Sequence, residues 1–374
     1  MMPQLSISRR TRSTPFTSRV EAAGVQAYTV YNHTLLATKF RSFEEDYWHL
    51  CKHVQVWDVS CEKQVAISGP DAYRLIQLMT PRDLSKARIG RCFYVPLCNP
   101  QGGIVNDPIV IKLSDNDWWL SIADTDVMLW AQGLATGFNL DVTVTEPDVW
   151  PLAVQGPKAE TLMARVFGED VRKIKFFNIK PMIYQGVSMQ VARSGWSKQG
   201  GFEIYLNDAS LAGPLWDELF AQGQDLNVGP GCPNLIERVE SGLLSLGNDM
   251  GYDTTPLECG LDQYVDLGAD IDSLSLPALR QHTPERQLKG LVINQACEIS
   301  DLNVYVNGEV VGEITSQAYS SKYGVHLAFA LCSLARVDAS LTLDVNTSQG
   351  TVNGQITSLP FNFNNLGLTP KTPA

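Results

Sequence analysis

The chain has 374 residues, of which 44% are hydrophobic and only 18% charged, with a formal net charge of −11. That length exceeds one ordinary core and predicts two or three domains, and the low share of charge argues against a solvating tail. The acidic balance leaves no electrostatic footprint for nucleic acid, and Arg9, Arg10 and Arg12 form a patch too short for an interaction tail.

Taken in order, Val25 to Tyr31 reads as a strand, and Ser42 to His53 has the acidic start and mixed face of an amphipathic helix. Gln64 to Ser68 alternates, and a Gly69-Pro70 turn then opens a helix over Asp71 to Met79. Between Tyr94 and Ala123 short apolar runs are punctuated by Asn99-Pro100, Gly102-Gly103 and Asp115-Asn116-Asp117, which predicts a β-meander. Helices follow over Thr125 to Thr136 and Lys158 to Val166. The turn before the latter, Gln155-Gly156-Pro157, echoes Ser68-Gly69-Pro70 and suggests two related α+β units.

From Gln287 onward helical periodicity disappears. Strands over Leu288 to Ile293, Leu302 to Val306, Val310 to Thr315 and Leu341 to Val345, separated by turns such as Asn307-Gly308 and Gln349-Gly350, predict a small all-β barrel or sandwich. The Pro- and Asn-rich end is expected to lack order beyond about Phe363.

No apolar run near the start could serve as a signal-peptide core, and no segment approaches membrane-spanning length, so a cytoplasmic address without a membrane partner is expected. The eight cysteines contain no C-x-x-C pair and read as reduced, mostly buried thiols. His49 and His53 share a helical spacing but lack a third ligand, and no metal site is expected. No G-x-G-x-x-G follows the first strand, and the triphosphate-loop and zincin motifs are absent. With five histidines and none in a nucleophile setting, a Ser-His or Cys-His hydrolase has little to work with.

Aromatic residues near strand ends and turns, namely Trp57, Tyr94, Trp118, Trp119, Trp150, Trp196 and Tyr205, could line a pocket for a flat heterocycle or an onium cation. Each alone is more often core. The sharpest local feature runs from Arg193 to Tyr205: Gly195, Gly200 and Gly201 permit a tight loop, and the strand after it alternates so that Glu203 and Tyr205 share a face. A carboxylate beside an aromatic ring suits a pterin, whose amino-pyrimidinone edge offers paired N–H donors.

This segment resembles the signature of the glycine-cleavage aminomethyltransferase family, and other segments match that family in order. They are Gln101 to Asp107, Ala153 to Pro157, Arg238 to Gly242, Gly247 to Asp249, Thr255 to Glu258 and Val311 to Ser316. Within the family the wording around Ala27 to His33, Val56 to Ser60, Ser194 to Gly201 and Gly229 to Arg238 is similar to a branch of sulfonium demethylases. Departures from the aminomethyltransferase pattern fall at Trp196, Lys198-Gln199 and Asn106. Departures from the branch fall mainly in the linker Asp272 to Leu279.

The resemblance implies an α+β, three-domain cloverleaf with a C-terminal all-β barrel-like domain. The implied division is 1–55 with 140–225 as the folate-binding domain, 56–139 with 226–280 as a second α+β domain completing a central cleft, and 281–374 as the β domain. It implies methyl transfer from dimethylsulfoniopropionate to N5 of tetrahydrofolate, the methyl acceptor. Glu203, Tyr205 and Phe176 are then the folate candidates, and Trp196 and Tyr94 would meet the sulfonium. Ser121 and Lys198 would hold the substrate carboxylate, and Asp107 would orient the folate amine or take its proton. Asp107 could instead be a strand-end turn residue before Pro108, and Arg238 with Glu240 reads as an internal ion pair. The resemblance leaves a homodimer open. The alternatives are an aminomethyltransferase acting on a lipoyl-bound aminomethyl group, and a non-catalytic folate-binding paralogue.

Overall fold

The computed structural model describes residues 8–337 and 342–371. It divides into two compact units, one of residues 1–75, 85–94 and 108–234, the other of residues 76–84, 95–107 and 235–374.

In the first unit, the expected strand near the start is one arm of a hairpin, Ala27–Tyr31 paired with Thr34–Lys39. Asn32 and His33 turn it with φ of 46° and 59°, the left-handed pair that suits the twist of a two-residue hairpin loop. The helix Phe43–Lys52 begins on a full capping box: the Ser42 hydroxyl accepts from Glu45 N–H while the Glu45 carboxylate accepts from Ser42 N–H.

Two sheets carry this unit. The six-stranded sheet runs Ile179–Tyr184, Val187–Ala192, Gly201–Leu206, Trp150–Gln155, Val54–Asp58 and Val228–Pro230, antiparallel except for the last pair. The five-stranded sheet runs Thr143–Thr145, Gln64–Ser68, Asp117–Ser121, Ile109–Lys112 and Cys92–Tyr94, antiparallel throughout. Strand parity divides the larger sheet. Val54, Val56, Leu152, Val154, Phe202 and Ile204 pack with the helices Ala159–Phe167 and Ala212–Gln222 in the main core. On the opposite face Ala192 and Tyr205 pack with Cys92, Ile111 and Trp119 of the smaller sheet.

The two Gly-Pro turns are built alike. Gly69 and Gly156 take φ of 137° and 118°, and a Cβ on either would collide with a backbone carbonyl, that of Asp141 or that of His53. Gly156→Ala is therefore expected to lower stability by about 2 kcal/mol or more, since both strain and overlap act on backbone that cannot move aside. Urea unfolding measures this, and a midpoint within error of the parent would contradict it.

The expected meander over Tyr94 to Ala123 is divided instead. Leu97–Cys98 and Ile104–Asn106 leave the five-stranded sheet and form their own hairpin in the second unit. Ile104 N–H is held by the carbonyls of Gly251 and Thr254, and a Cβ on Gly103 would strike the Tyr252 carbonyl.

The C-terminal part of the second unit is a closed barrel in the order Arg286–Ile293, Val325–Ser333, Glu309–Ser320, Ile299–Val306, Thr342–Thr347 and Gly350–Thr357. The Asn307-Gly308 turn is present, with φ of 53° and 80°. Leu341, where the fourth strand was expected to begin, lies outside the described residues. The end of the chain departs from expectation. Phe363 stacks on Tyr323 at 3.8 Å, Leu366 and Leu368 pack on the barrel, and turn hydrogen bonds join Leu366 to Asn362 and Leu368 to Phe363. Spaced apolar side chains finding a barrel wall outweigh the turn-rich composition.

The internal ion pair expected of Arg238 forms with Asp249 as the anion, at 2.7 Å with both groups buried, while Glu240 accepts from Ser320 at 2.5 Å. No helix among the described residues is long and apolar enough to cross a membrane.

Candidate active site

Register across the six-stranded sheet assembles the first part of the site. Trp57 pairs with Ala153, Ala153 with Glu203, Glu203 with Ala192, and Ala192 with Ile179. Directly opposed residues share a face, so Glu203 stands between two alanines with an indole one strand further on. Glu203 is buried and takes a hydrogen bond from the Ser194 hydroxyl. No ion pair reaches it among the described residues, and burial raises its pKa above the ordinary carboxylate value, with the Ser194 bond opposing. A buried acid with so little compensation is better satisfied by a ligand that presents N–H groups.

Tyr205 shares that face, as the alternation predicts, but its setting is not an open stacking surface. It is 1% exposed, its ring lies 6.1 Å from that of Trp119, and its hydroxyl is hydrogen-bonded to Ser121. Burial first, and then the nearby Glu203, push the phenol pKa well up, so it is a neutral group at all ordinary pH. Ser121 is buried too, and accepts from Gln64 Nε2 at 3.0 Å. In the smaller sheet Gln64 pairs with Ser121, Ser121 with Ile109 and Ile109 with Tyr94. Tyr94, half-buried, therefore shares a face with Ser121 two strands away, roughly 10 Å.

The glycine-rich loop is fixed by Gln155. Its Nε2 donates to the carbonyls of Ser194 (3.1 Å) and Phe202 (3.4 Å), and its Oε1 accepts from the Ser197 hydroxyl at 2.8 Å. The buried amide fills the room of two missing side chains, since a Cβ on Gly195 or Gly201 would overlap it; Gly195 also takes φ of 141°. This anchored loop carries Trp196, half-buried, and Lys198, exposed. At the base of the loop Arg193 pairs with Glu160 at 2.6 Å.

Trp57 is fully buried; its indole N–H donates to Gln55 Oε1 at 2.8 Å, and Gln55 Nε2 donates to the Asp46 carbonyl at 2.9 Å. His49 lies 3.3 Å from the same amide, and burial, with Arg41 and His53 adding, depresses its pKa to about 4. It is a neutral packing residue at physiological pH. Among the described residues no group of His, Cys, Asp and Glu is placed to hold a metal ion.

Phe176 is 74% exposed, next to Phe177, whose φ is 59° and whose ring packs toward the Tyr205 cluster. Asp107 belongs to the second unit, half-buried at the end of the Ile104–Asn106 strand, and Asn106 before it is fully buried. The first unit thus gathers Glu203, Tyr205, Ser121 and Tyr94 on facing sheet surfaces. Of the aromatic set, Trp118 faces away with Ile67, and Trp150 sits under the Lys63 ammonium at 4.3 Å. Trp119 was among the aromatic residues the sequence marked, whereas Ser194, Gln155 and Gln64 were not singled out as site residues. Ser194 and Gln155 stand in conspicuous motifs, but their roles depend on pairings with distant strands.

Models of two families match the chain: the GCVT N-terminal domain over residues 16–269 and the glycine cleavage T-protein C-terminal barrel domain over residues 286–362. Dimethylsulfoniopropionate demethylase of Ruegeria pomeroyi is 49% identical over 353 residues, 93% of this chain and 97% of that protein. Aminomethyltransferase of Moorella thermoacetica is 28% identical, with 94% of this chain and 97% of that protein covered. The crystal structure of glycine cleavage system aminomethyltransferase T from Bartonella henselae superposes with a TM-score of 0.83 at 22% identity, covering 94% of this chain and 98% of that one, a likeness of fold.

Proposed function

The chain belongs to the glycine-cleavage T-protein family, and from that premise we propose that it transfers a methyl group from dimethylsulfoniopropionate to N5 of tetrahydrofolate, giving methylmercaptopropionate and 5-methyltetrahydrofolate. The observation that carries this reading is the 49% identity to the Ruegeria pomeroyi demethylase over nearly the whole of both chains. The buried, sparsely bonded Glu203, set between Ala153 and Ala192, fits the folate half of the reaction.

A sulfonium is already an activated leaving group, so no covalent nucleophile is required of the protein. The folate amine forms the new N–C bond as the S–C bond breaks, the sulfur keeps the bonding pair, and the amine proton departs. What this chain supplies is alignment, where orientation is worth on the order of 7–11 kcal/mol, and a dry aromatic wall for a spreading positive charge.

Glu203 holds the pterin edge, and Phe176 lies along the outer part of the folate. Tyr205, sealed against Trp119, supports Glu203 from below, and Ser121, engaged by Tyr205 and Gln64, positions Tyr205. Trp196 and Tyr94 face the sulfonium, Lys198 takes the substrate carboxylate, and Asp107 orients the amine or accepts its proton. A cytoplasmic address with no nucleic-acid or membrane partner is part of this proposal. A homodimer is its proposed assembly, checked by light scattering of the purified chain.

Trp196→Ala is expected to raise KM for the sulfonium substrate about tenfold, the scale of one partly desolvated cation–π contact, with folate affinity little changed. Equal losses toward both substrates would remove Trp196 from the sulfonium site. The reaction itself is tested by anaerobic incubation with tetrahydrofolate and dimethylsulfoniopropionate, following both products. No 5-methyltetrahydrofolate where folate demonstrably binds overturns the proposal. Methylenetetrahydrofolate formed from an aminomethylated lipoyl carrier would make the chain an aminomethyltransferase instead.

A further inference from the structure

On the smaller sheet of the first unit, Gln64 is 1% exposed and carries an acceptor that the roles assigned above leave unused. The orientation of its side-chain amide is fixed. Nε2 donates to the Glu62 carbonyl at 3.0 Å, and a carbonyl can only accept, so the nitrogen must lie on that side. The second Nε2 proton goes to Ser121 Oγ, also at 3.0 Å. Both donors of the amide are thereby spent, and Oε1 is buried with no donor to meet it among the described residues. Ser121 does not supply one: its own proton is turned to the Tyr205 phenol, where the bond opposes the rise in pKa that burial causes. A carbonyl oxygen held at this depth without a donor costs stability, and what the site binds is the first place to look for its partner.

The surroundings say what kind of partner that is. Gln64 pairs with Ser121, and Tyr94 stands on the same face two strands beyond Ser121. Trp119, two residues before Ser121, shares that face, with its ring 6.1 Å from that of Tyr205. Ring faces and a carbonyl lone pair both present negative potential, and together they favour a cation. A sulfonium has no N–H or O–H to offer. Its positive sulfur polarises the C–H bonds of the attached methyl and methylene groups, and these are the donors that a carbonyl oxygen can accept from.

We propose that Gln64 Oε1 is a specificity-determining contact for the methyl donor, accepting C–H···O bonds from the carbons attached to sulfur and so selecting an onium over a neutral molecule of the same shape. This rests on the demethylase reading of the site. A neutral amide suits the task, because positive charge leaves the sulfur as the methyl group moves. A full carboxylate in the same place would hold the substrate more firmly than the transition state, whereas a dipole recognises the cation with less of that penalty.

The test is calorimetric binding to the full chain without tetrahydrofolate, so that no methyl group is transferred. Dimethylsulfoniopropionate is compared with its carbon isostere 4-methylpentanoate, in which a C–H replaces the sulfonium while the chain and the carboxylate are unchanged. The parent protein is expected to favour the sulfonium. Gln64→Leu should contract that preference about tenfold, the worth of two C–H···O contacts from a charged donor, with affinity for 4-methylpentanoate within about threefold of the parent. Gln64→Glu keeps an oxygen at the same reach and should keep the preference. Gln64→Met, unbranched like glutamine, makes the same comparison if the leucine variant does not fold.

A parent that binds both ligands alike, or a preference that survives the leucine and methionine variants, overturns the contact. Equal losses toward both ligands would make Gln64 a packing residue that only holds Ser121. A loss in Gln64→Glu as complete as in Gln64→Leu would put the effect on the Nε2 bonds, and lower tetrahydrofolate affinity with the donor preference unchanged would give the oxygen to the pterin; either result removes the assignment. All of these leave the demethylase reading standing. No binding of dimethylsulfoniopropionate by the parent chain overturns that reading as well.

Discussion

Glu203→Gln is expected to weaken tetrahydrofolate binding about 100-fold while leaving the fold intact, because each charge-assisted bond to a buried carboxylate contributes about 1.5–3 kcal/mol and the pterin edge presents two donors. Gln keeps the volume of Glu between Ala153 and Ala192 and can still meet the Ser194 hydroxyl. What it removes is the negative charge and one acceptor oxygen, and it puts an amide N–H where the ligand needs an acceptor.

The pH dependence separates this role from simple packing. Burial raises the Glu203 pKa, so between the ordinary value of 4.5 and the raised one the folded apoprotein holds a proton that the unfolded chain has lost. Stability from this group is therefore present at low pH and falls as pH rises through that window. Folate affinity runs the other way, since the ligand prefers the anion: binding should strengthen with rising pH and release a proton. Calorimetry in buffers of different ionisation heat reads that proton directly. In Glu203→Gln both slopes should flatten, and the unfolding midpoint near neutral pH should hold or rise, because a costly buried charge is gone. Parent-like affinity, or an unchanged proton count, would take Glu203 out of the pterin site.

Asp107→Asn should reduce turnover about 100-fold with folate and sulfonium affinities within about threefold of the parent, the lower end of what positioned acid–base groups contribute. The expected effect sits at that lower end because the leaving sulfide needs no proton and only the amine must shed one. Asn106 is fully buried, and a second acid at that depth beside Asp107 would raise the pKa of the pair by like-charge repulsion and burial. Asn106→Asp should accordingly move the acidic limb of the pH–rate profile upward. Single-turnover rates measured beside binding constants decide the matter. A fall in affinity matching the fall in rate would mark Asp107 as a binding residue, and an unchanged rate would leave it the turn residue before Pro108.

Local chemistry made much of this protein legible in advance. Ser42 and Glu45 announce their helix by spacing, and Asn307-Gly308 announces its hairpin, since the interactions responsible lie within four residues of each other. The barrel strand Val325–Ser333 was not foreseen, because it is buried along nearly its whole length and shows no polar alternation to distinguish it. The final segment was misjudged for a related reason: Phe363, Leu366 and Leu368 are unremarkable in composition and become ordered only where the barrel offers Tyr323 and its neighbours.

At the site the same division holds. Two-residue periodicity was enough to place Glu203 and Tyr205 on one face, and the glycines of the loop before them were readable as a tight turn. The sequence by itself also carried the family, through short motifs kept in order along the chain. Only tertiary structure decided what each side chain meets. Strand register set Glu203 between Ala153 and Ala192, and the packing of the second sheet brought Trp119 and Ser121 against Tyr205 and left its ring 1% exposed. Parity along a strand is a local property of the backbone; which strand lies opposite, and what covers the face, depends on contacts between residues far apart in the chain that no local pattern encodes.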